Sequence, residues 1–482
     1  MEIGCRIDVG GNRGSVGYIG PIEGYDGDWV GVDWDDRKRG KHDGAVGGKR
    51  YFFASGEKSA SFVRLSNVIF GRKIDSEMTS RYATQSEMDQ YEIGVKMIDF
   101  VAMEKIFGKQ RDIYKLRCVV LDSMHVALPP DIGSPLFNYC TELSLYNNLI
   151  ARWRDVLDIV KFFPVLRYLN LRKNYMEPEM TSVKNFDSPV KSPVFRLVIS
   201  DCRIDQKTVK GVQKLFPKLE QLYLASNNLH TFEVSSTTGS LQLLDLENNS
   251  IETFSRIHSL STVQSLTSLN LSNCGISEVI FGSPIGFASL KDLYLRNNVL
   301  KGWKWINEIA KLPALIRLYV KGRLSLDNEF GNNTREVLIA KLPKLIELDR
   351  CEISHVERRS AEIFFLNKYG VSPVAREHEE DIVRLQKIYG APDAARLVLP
   401  GGIRLLKLKL VFNNKEVLRS LPASMSVQKL YGMASRLFSL DIRKLALYAE
   451  SVGGLTFEFD NPCRSLNFFD LSDGDVIHVR AL

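Results

Sequence analysis

Three modules of different fold class are predicted for this chain of 482 residues: a small β domain, an α/β solenoid and an α+β domain. Three observations predict them. Residues 27–53, GDWVGVDWDDRKRGKHDGAVGGKRYFF, interleave glycines and aromatics around a charged turn. From residue 116 the template LxxLxLxxNxL recurs. From residue 403 the pattern changes to strand alternation, a hairpin and one amphipathic helix.

The first module spans residues 1–72. At its centre stands Gly40-Lys41-His42-Asp43-Gly44, with Trp29-Val30-Gly31-Val32 before it and Tyr51-Phe52-Phe53 after it. Glycine permits positive φ and close approach of the backbone to a ligand. Aromatics on flanking strands give a flat apolar wall, and a lysine in the turn supplies a positive charge with three donors. Such a groove suits an extended peptide that ends in an aromatic side chain and a free carboxylate. The stretch resembles the CAP-Gly domain, whose usual pentapeptide is GKNDG; here His42 takes the place of the asparagine. Gly20, Trp29, Gly31, Gly40, Lys41, Asp43, Gly44, Tyr51 and Phe52 fall where that family has them. The resemblance implies a groove for acidic tails ending in Glu-Glu-Tyr or Glu-Glu-Phe, the tail of α-tubulin among them. The expected peptide-binding set is Trp29, Gly40, Lys41, His42, Asp43, Gly44 and Phe52. The basic run Arg37-Lys38-Arg39-Gly40-Lys41 adds charge for an acidic ligand, tempered by Asp33, Asp35 and Asp36 just before it.

A linker with a helical segment is expected over 73–109, then repeats with a C-terminal cap over 110–366. The template is that of the leucine-rich repeat. Clear copies lie at 219–229, 241–251, 266–276 and 290–300, and weaker ones at 116–126, 140–150, 166–176, 194–204 and 315–325. The fourth template position falls at 119, 143, 169, 197, 222, 244, 269, 293 and 318. One unit cannot bury its leucines alone, but stacked units build a continuous core. Positions four and six point inward, and positions three, five and seven face out on the concave sheet. The asparagine at position nine bonds turn backbone, and Cys202 and Cys274 hold that slot as structural residues in two copies. Outward positions carry Tyr223, Tyr294, Tyr319, Arg296 and Arg317. Tyrosine and arginine are enriched at binding hot spots, so these five form the expected protein-binding set. Residues 177–193 read as an exposed polar loop, and 342–366 as a last repeat turning into a charged covering helix.

A charged helical linker is expected over 367–400 and the last module over 401–482. A strand at 403–410, a hairpin at Asn413-Asn414, a helix from Ser426 to Leu437 and strands at 444–449 and 475–480 give a ubiquitin-like (β-grasp) order. The chain ends Arg480-Ala481-Leu482 without a glycine pair, which predicts a docking module rather than a conjugated modifier.

The net charge of +7 is modest and spread out, unlike that of a nucleic-acid binder. No run of about 18 apolar residues exists to span a membrane. The first residues carry no signal-peptide pattern. Seven cysteines without a CxxC pair fit free thiols in a reducing compartment. No HExxH, P-loop or GxSxG motif occurs, and the seven histidines lack metal-ligand spacing. The expectation is a binding protein of the cytoplasm and cytoskeleton, not an enzyme, with neither cofactor nor metal.

The order of these three modules resembles the tubulin-folding cofactor E family across nearly the whole chain, and GKHDG looks like that family's own variant. The resemblance implies a chaperone that binds α-tubulin and works with cofactors D and C in assembling or dissociating the αβ heterodimer. Components of the proteasome or ubiquitin pathway are further implied partners. A microtubule-associated adaptor and a ubiquitin-pathway adaptor are the alternative readings.

Overall fold

The computed structural model describes residues 2–83, 112–177, 193–235, 239–282, 284–322, 333–371, 373–390, 405–413, 415–451, 456–459, 461–469 and 471–481. The chain divides into two compact units. One comprises Met1–Asn298 with Leu312–Ala314, the other Val299–Lys311 with Leu315–Leu482.

The first unit begins with a five-stranded antiparallel sheet. Its order is Ala60–Arg64, Tyr25–Trp34, Asn12–Ile22, Arg6–Val9, Ile69–Phe70. Ile7, Val16, Val30, Val32 and Trp34 are its buried core. The expected linker does not start as one. Arg72–Lys73 pairs in parallel with Val126–Leu128 of the first repeat. Ile74 and Met78 of the following short helix are fully buried, and the Tyr82 hydroxyl accepts from the Val120 amide at 2.9 Å. The rest of the expected linker helix lies outside the described residues, as does most of the expected loop at 177–193.

Eight three-residue strands of the solenoid follow in this unit, paired in parallel and in sequence order. Their central residues are Val119, Leu143, Leu169, Leu197, Leu222, Leu244, Leu269 and Leu293, all fully buried. Each is the fourth template residue, so the register read from the leucine spacing is the register of the sheet. Asparagines of the ninth position lock the turns. Asn249 accepts from the Asn227 and Leu229 amides at 3.1 and 2.9 Å, and donates to Leu224 O and Leu246 O at 3.1 and 2.8 Å. Asn298 repeats the pattern on Cys274, Ile276, Leu271 and Leu295. Where cysteine replaces asparagine, its thiol takes over the donor role: Cys202 Sγ reaches Leu171 O and Cys274 Sγ reaches Leu246 O, each at 3.1 Å. Burial pushes these thiols up to about 12 and about 11, so both stay protonated.

The amino-terminal domain is docked onto the turns of the repeats. Arg13 donates through Nη1 to Lys173 O at 2.8 Å and through Nη2 to Asn147 O at 3.0 Å. Arg203 donates back to Asp35 O at 2.8 Å. Asp35 is held from behind by Arg6 through both carboxylate oxygens, at 2.7 and 2.5 Å. The Arg6 and Arg203 guanidinium groups lie 5.2 and 5.1 Å from the centroid of the Tyr175 ring.

In the second unit, the strand Arg317–Tyr319 pairs in parallel with Glu347–Leu348, which pairs antiparallel with Cys351–Glu352. The helices Thr334–Lys341, His355–Tyr369 and Glu379–Tyr389 follow the repeats. Ser354 caps the second of these, accepting from the Glu357 amide at 3.1 Å. Lys341 is buried to 1% exposure; its ammonium donates to Asp381 Oδ2 at 2.6 Å and to Glu377 O at 3.0 Å.

The last domain is a mixed five-stranded sheet with the order Lys415–Pro422, Leu405–Phe412, Val476–Ala481, Leu445–Glu450, Thr456–Glu458. The first and last long strands are parallel neighbours. The helix Val427–Phe438, capped by Ser426, packs Val427, Leu430 and Ala434 into the core. This is the ubiquitin-like order, with Thr456–Glu458 as a strand the sequence reading omitted. Arg464 joins the domain to the repeat cap through Glu357 at 3.0 Å and stacks 3.9 Å from the Phe468 centroid.

Candidate peptide-binding site

The amino-terminal domain carries an open cleft of about 450 Å³, lined by aromatic and aliphatic side chains, Lys41, His42 and Arg39. Backbone hydrogen bonds shape its rim. The Lys41 amide donates to Ala60 O at 2.7 Å, and Ala60 N donates to His42 O at 2.9 Å, so the pentapeptide runs along the edge of the sheet. Gly40 is required there: a Cβ on it would stand 2.3 Å from Ala60 N.

The expected set divides into two groups. Trp29, Lys41 and His42 line the cleft. Lys41 is exposed, and the Trp29 ring is covered by the Arg64 guanidinium at 4.0 Å. Gly40, Asp43, Gly44 and Phe52 do not line it; they hold its shape. Asp43 pairs with Arg50 at 2.6 Å, and that bond holds its carboxyl below the usual carboxylate range. Phe52 is 8% exposed. Its ring fits between Gly17 and Gly31, whose added Cβ atoms would come within 2.3 and 2.4 Å of it. The expectation that Phe52 contacts ligand is therefore corrected: the glycines draw its ring inward, and Phe62 takes the lining position.

His42 stacks on Phe62 with centroids 5.0 Å apart. Its Nδ1 accepts from the Gly44 amide at 3.0 Å. An asparagine side-chain oxygen makes the same bond to the backbone two residues on, so the histidine reproduces the turn while placing an aromatic face against the cleft wall. Nδ1 carries no proton in this arrangement, which leaves Nε2–H as the ring's donor. Burial lowers the His42 pKa below its ordinary 6.5. A folded value below the unfolded one means that the contribution of the neutral ring is complete above about pH 6.5 and is lost as pH falls through the folded value. An NMR titration of the His42 ring is expected to give a pKa under 6.5; a value at or above 6.5 would contradict the assigned Nδ1 acceptor.

Residues that the motif did not single out also line the cleft: Ile22, Tyr25, Trp34, Arg39, Val46, Phe62 and Val63. Arg39 stacks 4.5 Å from the Trp34 centroid. Of these, Trp34, Arg39 and Val46 lie in the 27–53 stretch, and Phe62 and Val63 in the strand Ala60–Arg64.

The expected protein-binding residues fall in both units. In the first, Tyr223, Tyr294 and Arg296 are half-buried on the strand face. Tyr223 and Tyr294 occupy the same template position three strands apart, about 14 Å. In the second, Arg317 is half-buried. Tyr319 departs from the expectation of an outward contact residue. It is 6% exposed, and its hydroxyl donates to Glu347 at 2.8 Å. Among the described residues no group of three or more His, Cys, Asp or Glu is placed to hold a metal ion, and no helix is long and apolar enough to cross a membrane.

The family model described as CAP-Gly domain matches residues 3–68, and that described as Leucine Rich Repeat matches 265–287. The chain is similar to tubulin-specific chaperone E of Bos taurus, 30% identical over 99% of this chain and 98% of that protein. It is similar to the same protein of Homo sapiens, again 30% over 99% and 98%, and of Drosophila melanogaster, 27% over the same shares. Among solved structures it is similar to the C-terminal ubiquitin-like domain of mouse tubulin-specific chaperone e. That match has 32% identity, covers 17% of this chain and 95% of that one, and has a TM-score of 0.16. An internalin C2 from Listeria monocytogenes is 20% identical over 43% of this chain and 79% of that one, with a TM-score of 0.29. With identity of this extent running from end to end, the chain belongs to the tubulin-specific chaperone E family.

Proposed function

We propose that this chain is a tubulin-folding chaperone that grips α-tubulin at two places, its acidic C-terminal tail and its folded body, and acts with cofactors D and C on the αβ heterodimer. The observation that carries this reading is the aromatic cleft with Lys41 exposed at its rim and the His42 Nε2–H beside it. A terminal aromatic side chain fits the apolar wall of Trp29 and Phe62, and the terminal carboxylate meets Lys41 and His42. The basic run at 37–41 adds attraction for the acidic residues before it. A short tail buries little area, whereas stable complexes bury more than about 1,200 Å². The strand face of the repeats in the first unit therefore supplies the larger contact, with Tyr223, Tyr294 and Arg296 as its candidates; Arg317, in the second unit, is a separate candidate. The ubiquitin-like domain serves as a docking surface for a further component, such as part of the ubiquitin pathway, and the whole works in the cytoplasm.

Charge-assisted hydrogen bonds are worth roughly 1.5–3 kcal/mol, so Lys41→Ala is expected to weaken binding of a peptide ending Glu-Glu-Tyr about tenfold or more. Calorimetric titration of the folded variant checks this. An unchanged dissociation constant sinks the tail assignment.

A further inference from the structure

We propose that Arg196, clamped between Tyr168 and Tyr223, is the docking point for a carboxylate on the folded body of the tubulin client. This deepens the proposed function and rests on it. The residues come from three adjacent strands, Tyr168–Asn170, Arg196–Val198 and Gln221–Tyr223, with Tyr168 directly opposite Arg196 in the register. The Arg196 guanidinium lies 5.4 Å from the Tyr168 ring centroid and 5.6 Å from that of Tyr223. It also donates through Nη2 to the Tyr223 hydroxyl at 3.2 Å.

Two features separate this arginine from the others that organise the first unit. Arg6, Arg13 and Arg203 are spent on internal acceptors. Arg196 is exposed, and it forms no ion pair with a carboxylate of the described residues. Glu142, two strands away and beside Tyr168 in the register, acts on Arg196 through its charge without forming an ion pair with it. Two rings and a hydroxyl thus fix the orientation of a weakly hydrated cation that makes no direct ion pair among the described residues. The planar fork keeps further N–H donors for a bidentate carboxylate. Holding it in place beforehand removes much of the ordering cost that a free arginine incurs on binding. An aromatic pair around an arginine is the composition of a hot spot, and the charge selects an acidic group. The occupant is the folded body rather than the tail, because the tail already has its cleft in the amino-terminal domain.

The test uses the full chain and tubulin whose acidic tails have been removed by limited proteolysis, with intact tubulin and a Glu-Glu-Tyr peptide alongside. Arg196→Glu is expected to weaken binding of tail-less tubulin about tenfold or more, while the peptide binds as before and the melting curve is unchanged. Tyr168→Leu, which removes one wall and keeps the charge, is expected to weaken it less. The parent's affinity for tail-less tubulin falls with added salt, and Arg196→Ala flattens that dependence, a readout that a purely structural role would not move. Equal binding of tail-less tubulin by parent and Arg196→Glu overturns the proposal. So does a parent that binds intact but not tail-less tubulin, in which case only the tail-binding half of the proposed function stands. A parent that binds neither tubulin nor the peptide removes both.

Discussion

Gly44→Ala is expected to abolish tail-peptide binding and to destabilise the amino-terminal domain by about 2–6 kcal/mol, from backbone strain and overpacking together. Gly44 has φ of +100°, and a Cβ there would lie 2.2 Å from Phe52 O and 2.8 Å from Phe52 C. Nothing flexible can yield, because the blocking atoms are backbone. The Gly44 carbonyl itself accepts from the Tyr51 and Phe52 amides, at 3.0 and 3.4 Å. Moving the glycine therefore pulls the 51–52 segment away and displaces the His42 ring bonded to its amide. Gly47→Ala is the control. Its φ is +59° and the space around it is open, so the cost is the left-handed penalty of about 1–2 kcal/mol, and binding survives. Urea titration followed by tryptophan fluorescence compares the two, since Trp29 and Trp34 report on this domain. Equal midpoints for the two variants would show that the close approach to Phe52 carries no weight.

Lys341→Met is expected to cost about 3 kcal/mol, the low end of what breaking a buried ion pair costs. The ammonium has no exposed side-chain surface and anchors the helix Glu379–Tyr389 through Asp381. Trp303 and Phe365 stand with ring centroids 5.4 Å from Nζ, so the cation sits in an aromatic enclosure. Burial lowers the lysine's pKa, while Asp381 opposes that shift. The cost stays at the low end because Arg384 remains 3.3 Å from Asp381. Methionine fills the aromatic site but leaves Asp381 Oδ2 and the Glu377 carbonyl without the lysine donor, while Arg384 still reaches Asp381 Oδ1. The helix Glu379–Tyr389 is expected to lose hydrogen-exchange protection. Adding Asp381→Leu to the variant should restore much of it, since replacing a buried pair by apolar groups is often neutral. Unchanged protection in the single variant would remove Lys341 from this anchoring role.

The leucine spacing made the solenoid legible residue by residue, because a buried strand centre is a local, repeated demand. The capped helix after Ser426 was legible from its apolar face, and the charged helical linker expected over 367–400 contains the helix Glu379–Tyr389. Within the pentapeptide, Lys41 and His42 were readable as lining residues, but the division between lining and scaffold was not. Phe52 turns inward because of Gly17 and Gly31, more than twenty residues away on either strand. Tyr319 follows the outward alternation in sequence yet bonds Glu347, 28 residues on. Arg13 stands between Gly11 and Gly14 in the sequence with nothing to mark its role, and its acceptors lie 134 and 160 residues away. Contacts of that separation leave no periodic trace.

The docking of the amino-terminal domain by Arg13, Arg203 and Asp35 bears on how a client is selected. A groove on a loose tether finds its ligand over a range of distances, and the effective concentration of the second contact depends on tether length. Here the cleft is fastened to the same turns that carry the strand face of the first unit. For a client that engages both, the second contact is intramolecular and its span is set by the protein. A tail rooted at the matching distance gains from both contacts at once, and one rooted elsewhere gains from one alone. Under the proposed function the fastening works as a fixed gauge, so that acidic tails with the right ending but the wrong body are discriminated against without any contact designed to repel them.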